Sequence, residues 1–400
     1  MAHRPGIGSN RSKFGIRQPL SPSPSNPNVA CWLATAEIGY RRMLELIGGA
    51  RTSIRCETYI WRDDVVGQRF RAALSRAASS GVKVQVLVDG FGSAALPADY
   101  WRELEAAGGR ARVFNPFTLR AFSLRNHRKL LVVDDTVAVV GGFNIGAEYD
   151  GDGVTRGWRD LGVELWQPEA LQQLTESFDN LFHDHRLRHW LLRRIRNRSL
   201  RWPLFFRRPG PVLFSGPRLV RNQFRRQLLK SLSTATHVRI ASAYFIPNFR
   251  LRRALHRVAR RGGTVELLLA GKTDVPLAQL AARSRYGSLL KAGIRIWEYQ
   301  PQILHTKLAI IDNSVFAGTS NLDARSLGIN YELMVHFKDP HLAAGAWTFF
   351  SEDQGRAIEI KLPEWRRTQT WFLRLKGTWA RFLLAHLDPW LARRQMRNSR

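Results

Sequence analysis

Apolar residues recur along the chain in two rhythms, every third or fourth position in some stretches and alternating or consecutive in others. Tyr40, Met43, Leu44 and Ile47 carry a helical pattern through Gly48-Gly49 into Thr52–Trp61, whose composition is that of a strand. A helix near Val66–Ala78 and a strand over Val82–Asp89 follow, a β-α-β order that predicts a parallel or mixed sheet. The second half repeats this: a helix around Phe224–Leu232, a strand at Val238–Ile246, a helix at Leu251–Arg260 and a strand at Thr264–Ala270. Each half then passes a glycine-bearing turn into a further strand, in Ala106–Phe114 and Lys291–Trp297. Such a duplication predicts two similar lobes and a site at their pseudo-twofold interface.

Flanking segments read differently. Residues 1–30 are rich in Ser, Pro, Gly and Arg and are expected to form a disordered arm. The first lobe is expected over 31–185, a basic aromatic linker over 186–212, the second lobe over 213–360, and a basic amphipathic segment over 361–400. In that last segment Trp371, Phe372, Leu375, Trp379, Phe382 and Leu383 recur at helical spacing among Arg366, Arg367, Arg374, Lys376 and Arg381. Two readings stand side by side, an apolar face packed on the protein or one docked on a membrane.

Four hundred residues, 44% hydrophobic, exclude a small stapled scaffold. Lys and Arg number 62 against 32 Asp and Glu, a formal net charge of +30 that seeks polyanions. Nucleic acid and an anionic membrane both meet that demand. Thirteen Trp, with Phe and Leu among the arginines, suit the headgroup layer, where an indole is half apolar and half polar. Cys31 and Cys56 are too few for a disulfide framework or a cysteine-based zinc site. No apolar run approaches the roughly 18 residues of a membrane span, and the basic N-terminus lacks the apolar stretch of a secretion signal. A soluble or peripheral protein is expected.

One chemical element occurs twice. Asn126-His127-Arg-Lys129 continues through four apolar residues to Asp134, then after six residues reaches Gly141-Gly142-Phe-Asn144. Leu304-His305-Thr-Lys307 leads likewise to Asp312, then after five residues to Gly318-Thr319-Ser-Asn321, with the two histidines 178 residues apart. On a strand, residues two apart share a face, so each His and Lys can address a single phosphate. The imidazole attacks phosphorus, and the ammonium stabilises oxygens that gain charge in the transition state. Glycines permit close approach of substrate, and Asn144 and Asn321 can donate amide hydrogen bonds to phosphate. An attacking imidazole needs its other nitrogen oriented, here by a carboxyl group from elsewhere in the same lobe. Aligning the repeats sets Trp158-Arg159-Asp160 opposite Asn330-Tyr331-Glu332, which makes Asp160 and Glu332 the candidates. Asp134 and Asp312 are expected to hold the site together through buried hydrogen bonds or ion pairs.

This paired motif resembles that of the phospholipase D superfamily over nearly all of Trp32 to about Ile360. The resemblance implies an α/β fold of two pseudo-twofold-related lobes, each a mixed sheet flanked by helices, with the active site at the lobe interface. It also implies a phosphohistidine mechanism needing no metal or other cofactor. His127 would be the nucleophile and His305 the general acid and base; Lys129, Lys307, Asn144 and Asn321 would bind phosphoryl oxygens, with Gly142 and Thr319 in support. Gly318–Ser326, Asn330–Glu332, Tyr244–Pro247 and Gly142–Gly146 are similar to bacterial cardiolipin synthases. Those enzymes move a phosphatidyl group between two phosphatidylglycerol molecules and release glycerol. Two departures are visible, a second motif one residue shorter between Asp312 and Gly318 and the absence of the transmembrane pair of the longest members. The implied protein is of the shorter type, peripheral to the bacterial cell membrane on its cytoplasmic face, with anionic phospholipid as partner and nucleic acid disfavoured. A phospholipase D with another acceptor and a nuclease of the same superfamily are the competing readings.

Overall fold

A computed structural model describes residues 29–116, 124–183, 210–216 and 222–388. The expected arm over 1–30 falls outside these residues except for its last two, and the linker over 186–212 except for its last three. The C-terminal segment is described to Asp388.

Each half builds one mixed sheet. The first contains β1 (Ala30–Leu33), β2 (Ser53–Thr58), β3 (Lys83–Asp89), β4 (Arg110–Phe114), β5 (Leu130–Val133), β6 (Val137–Gly141) and β7 (Gly162–Leu165), in the order β1-β7-β6-β5-β2-β3-β4. The second contains β8 (Val212–Ser215), β9 (His237–Ser242), β10 (Thr264–Ala270), β11 (Arg295–Tyr299), β12 (Lys307–Ile311), β13 (Ser314–Gly318), β14 (Glu332–Lys338) and β15 (Ala357–Glu359). Its order, β8-β14-β13-β12-β9-β10-β11-β15, is that of the first sheet with one antiparallel edge strand added. In both, the strands read from β-α-β spacing run parallel, and the motif hairpins β5-β6 and β12-β13 pair antiparallel beside them.

Alternation along the two motif strands builds the layers. Leu130 and Val132 share one buried cluster with Leu308 and Ile310 of the other lobe, whereas Leu131 and Val133 face an outer cluster with the helices Ala36–Gly48 and Val65–Ser79. Ala309 and Ile311 face the corresponding outer cluster of the second lobe. Each such aliphatic side chain fully removed from water contributes about 1.5–3 kcal/mol. The central layer also takes Phe178 and Phe182 from the helix Pro168–His183 and Ala346 and Phe350 from the helix Pro340–Gly355. A buried ion pair, Arg159 Nε to Asp353 Oδ1 at 2.7 Å, and Tyr299 donating to the Gly153 carbonyl at 2.7 Å tie the lobes together.

The missing residue of the second motif is absorbed far from the site. Val133 pairs with Val137 across Asp134-Asp135-Thr136, while Ile311 pairs with Ser314 across Asp312-Asn313. The shorter motif therefore differs in its hairpin turn and keeps its glycine end in register. Asp134, Asp135 and Asp312 all take the left-handed backbone conformation there, which Asp tolerates better than most side chains.

Candidate active site

Both motif histidines lie just before their strands, in extended segments whose backbone bonds reach the opposite lobe. Asn126 bridges Tyr331 and Leu304 bridges Arg159, each in parallel sense. The His127 amide donates to the Tyr331 carbonyl at 2.9 Å, and the His305 amide donates to the Arg159 carbonyl at 2.7 Å. Since Tyr331 precedes Glu332 and Arg159 precedes Asp160, these bridges set each histidine beside the other lobe's acid. His127 Nδ1 lies 3.0 and 3.1 Å from the two carboxyl oxygens of Glu332, and His305 Nδ1 lies 2.6 Å from Asp160 Oδ2. The two acids that the alignment of the repeats singles out both lie beside a motif histidine, but the expectation that each serves its own lobe is corrected: the pairing is crossed. A backbone bridge between lobes leaves no trace in the periodicity of either.

Lys129 and Lys307 are buried and fold back to donate to the carbonyls of His127 and His305, the first at 2.7 Å. Lys129 immediately precedes β5 and Lys307 opens β12, so only the second lies on a strand. Burial pushes Lys129 down to about 7 and Lys307 to about 8; at Lys129 the nearby Lys307 charge pushes the same way against Glu332. His305 falls to about 4, through burial first and then the charge of Lys307, against the opposing pull of Asp160. His127 is lowered too, by burial, with both lysines adding to the effect and Glu332 opposing it. Two lysines and two histidines thus converge in a buried site where, even beside Glu332 and Asp160, their charged forms are disfavoured, a condition that a bound phosphodiester anion would relieve.

The supporting residues depart from expectation in three places. Gly142 makes room for the acid rather than for substrate, because a Cβ there would lie 2.2 Å from Asp160 Oδ1. Its counterpart Thr319 donates to Glu332 Oε2 at 2.6 Å. Asn144 is committed within the protein: its Oδ1 accepts from the Ile60 amide at 3.1 Å and its Nδ2 donates to the Tyr149 hydroxyl at 2.7 Å. It therefore positions Tyr149 instead of standing as a free phosphate donor, whereas Asn321 Oδ1 is buried with no hydrogen-bond partner among the described residues. Asp134 and Asp312 sit at the far ends of their hairpins, half-buried and exposed, and make no ion pair among the described residues. Asp134 accepts from the amides of Arg51, Thr52 and Ser53 and from the Thr52 hydroxyl; Asp312 accepts from the amides of Thr236 and His237 and from the Thr236 hydroxyl. They fasten the motif hairpin to β2 or β9 and do not reach the reacting centre.

Aromatic rings that the sequence reading assigned no role flank the imidazoles. Tyr59 lies 4.8 Å from His127 by ring centroids, and Trp158 and Tyr149 lie 5.3 and 5.4 Å from His305. Tyr59 has no aromatic counterpart in the repeat: Glu57 pairs with Leu130 as Ala241 pairs with Leu308, which sets Ala243 in its place.

Residues 43–182 and 227–354 match the family model described as "Cardiolipin synthase, PLD-like domain". The chain belongs to this family. The two matched stretches carry the two motifs, and the family's two copies correspond to the two sheets. Cardiolipin synthase B of Escherichia coli strain K12 is 33% identical over 377 residues, covering 90% of this chain and 89% of that relative. The major cardiolipin synthase ClsA of Bacillus subtilis strain 168 is 32% identical over 362 residues, covering 86% and 72%. In structure, phosphatidylserine synthase of Haemophilus influenzae Rd KW20 superposes with a TM-score of 0.69 at 15% identity, over 91% of this chain and 94% of that one. That likeness concerns the fold, a two-lobed arrangement shared with this family.

Proposed function

We propose that the protein is a phosphatidyltransferase of the cardiolipin synthase type, acting on phosphatidylglycerol through a phosphohistidine. The observation that carries the reading is the crossed constellation of two histidines, each held by a buried acid, around two buried lysines held near neutrality. The cardiolipin synthase relatives supply the substrate class.

With Nδ1 directed to its acid, each imidazole presents Nε2 to substrate. His127 is the proposed nucleophile, supported by its greater exposure, 12% of the side chain against 5% for His305. Its Nε2 forms the bond to phosphorus as the bond to the departing glycerol oxygen breaks, and His305 delivers a proton to that oxygen. His305 then takes the proton from the primary hydroxyl of a second phosphatidylglycerol, whose oxygen bonds to phosphorus as the bond to His127 breaks. Binding the phosphodiester anion raises the proton affinity of His305 and both lysines, so the substrate itself brings the general acid into its protonated form. Lys129 and Lys307 stabilise the equatorial oxygens, and Asp160 and Glu332 orient the rings. We place the protein at the cytoplasmic face of the bacterial membrane, attached peripherally; no helix among the described residues is long and apolar enough to cross a bilayer.

The test is incubation with labelled phosphatidylglycerol in mixed micelles containing EDTA, with products resolved by chromatography and mass spectrometry. Cardiolipin and glycerol are expected. Phosphatidic acid alone would make water the acceptor, and cleavage of DNA with no lipid product would overturn the reading.

A further inference from the structure

The C-terminal helix Trp371–Phe382 turns the wrong face inward for a helix that merely completes a core. Gly377 and Ala380 are its buried residues, and they meet the helix Pro276–Arg283 so closely that a Cβ at Gly377 would lie 3.0 Å from Ser284 Cβ. At about 100° per residue, Trp371, Phe372, Leu375, Trp379 and Phe382 fall on the opposite side, within an arc of about 100°. All five are exposed, Trp371 at 76% and Trp379 at 58%. Arg374 and Lys376 border this stripe on its two sides and are exposed, as are Arg366 and Arg367 just before it. Lys376 Nζ lies 4.3 Å from the Phe372 ring centre, its stem along the apolar surface and its charge at the edge.

The helix is also tied to the cleft. Ala380 packs with Ile246, and Tyr244 and Leu384 join the same cluster; the Ile246 amide donates to the carbonyl of Leu322, next to Asn321 of the second motif, at 3.0 Å. Beyond the helix, Asp388 makes a two-pronged ion pair with Arg325 at 2.5 and 2.8 Å, on the loop that follows the second motif. The charge of Arg325 reaches Tyr59 as well.

We propose that Trp371–Phe382 is an interfacial docking element that seats the second lobe on an anionic bilayer with the cleft beside the headgroups. The aromatic stripe enters the headgroup and acyl boundary while the bordering cations meet lipid phosphates. Charge complementarity selects the occupant: the segment from Leu362 to Leu387 carries Arg366, Arg367, Arg374, Lys376 and Arg381 against Glu364 alone. The inference deepens the lipid-substrate reading above and rests on it for the identity of the lipid.

The test compares the full chain with W371S/L375S/W379S/F382S and with R374E/K376E. Sedimentation with vesicles of phosphatidylglycerol and phosphatidylcholine, over a range of salt, reads docking. The first variant should partition about 10-fold more weakly or worse. The second, which leaves the apolar face intact, should lose its preference for phosphatidylglycerol. Turnover of dispersed short-chain phosphatidylglycerol should stay at the parent level in the first variant, while turnover of vesicle lipid falls in step with partition. Unchanged partition in both variants overturns the proposal. So does a parent dimer, seen by sedimentation velocity, that becomes monomeric in the first variant while vesicle binding persists, because a second copy would then be the occupant. Absence of turnover on any lipid by the parent chain would instead sink the enzymatic reading, and partition would still decide the docking one.

Discussion

The two motif halves share strand order, residue types and hydrogen-bond topology, yet their histidines stand in different surroundings. His305 is pinned at 2.6 Å by Asp160, edged by Tyr149 and Trp158, and lowered to about 4. His127 shares the longer Glu332 with Thr319, has Tyr59 at its side, and is the more exposed. A duplicated fold brings two equal nucleophile candidates to one point. The acid is Asp on one side and Glu on the other, with Gly142 opposite Thr319, and the imidazole held by Glu332 is the more exposed, 12% against 5%.

The sharpest way to break this comparison is a divided burst assay. His127→Ala and His305→Ala should each abolish turnover of phosphatidylglycerol. With a p-nitrophenyl phosphodiester, whose leaving group needs no proton, His305→Ala should still release one equivalent of nitrophenol and His127→Ala none. The opposite pattern exchanges the two roles, and near-parent turnover in either variant removes the mechanism.

Next in size come the lysines. Lys129→Met should lower kcat on the order of 10²-fold or more by removing transition-state charge stabilisation. It should also raise the melting midpoint at pH 7. The folded-state value of about 7 lies below the roughly 10.4 of an unfolded lysine, so the unfolded chain binds the extra proton between them. Stability from this group is complete above that window and is lost as pH falls through it. A lower midpoint in Lys129→Met at pH 7 would contradict the proposed strain of a buried cation. His305 acts in the same direction lower down: between pH 6.5 and about 4 the midpoint should fall, and His305→Gln should flatten that part of the curve.

A smaller asymmetry separates the glycine from the threonine. Gly142→Ala forces a methyl group into the space of the Asp160 carboxyl group and should cost far more turnover than Thr319→Ala, which removes one hydrogen bond to Glu332. About 10-fold is expected for the latter. Equal losses would mean that the two acid environments are interchangeable. Smallest of all on chemistry are Asp134→Asn and Asp312→Asn, which should lower the melting midpoint by loosening the hairpin anchors while leaving kcat within about twofold. Losses like those of the histidine variants would return these residues to the reacting centre.

Much of this molecule was open to reading along the chain. Period-two and helical spacing placed the strands Lys83–Asp89 and Thr264–Ala270 and the helices Val65–Ser79 and Phe249–Arg260 within a few residues. Other elements were missed. The helix Pro340–Gly355 buries Ala343, Ala346, Phe350 and Asp353 along one face, but Ala344 and Trp347 stand on the exposed face and Asp353 on the buried one, so polarity does not mark the two faces. The edge strand Ala30–Leu33 is defined only by its pairing with Gly162–Leu165.

By itself the sequence determined the duplication, the two His-Lys pairs and the two acids, because each is a matter of residue type and spacing repeated within one chain. Tertiary structure alone decided that Asp160 serves His305 and Glu332 serves His127, since the bridges that cross the lobes join backbone groups far apart in the chain. It decided that Gly142 shelters a carboxyl group and that Asn144 holds Tyr149. It also decided which side of the last helix stays bare: small residues allow close approach to the neighbouring helix, and that contact turns the aromatic stripe outward. Periodicity states that a helix has two faces; only packing chooses the one that meets the protein.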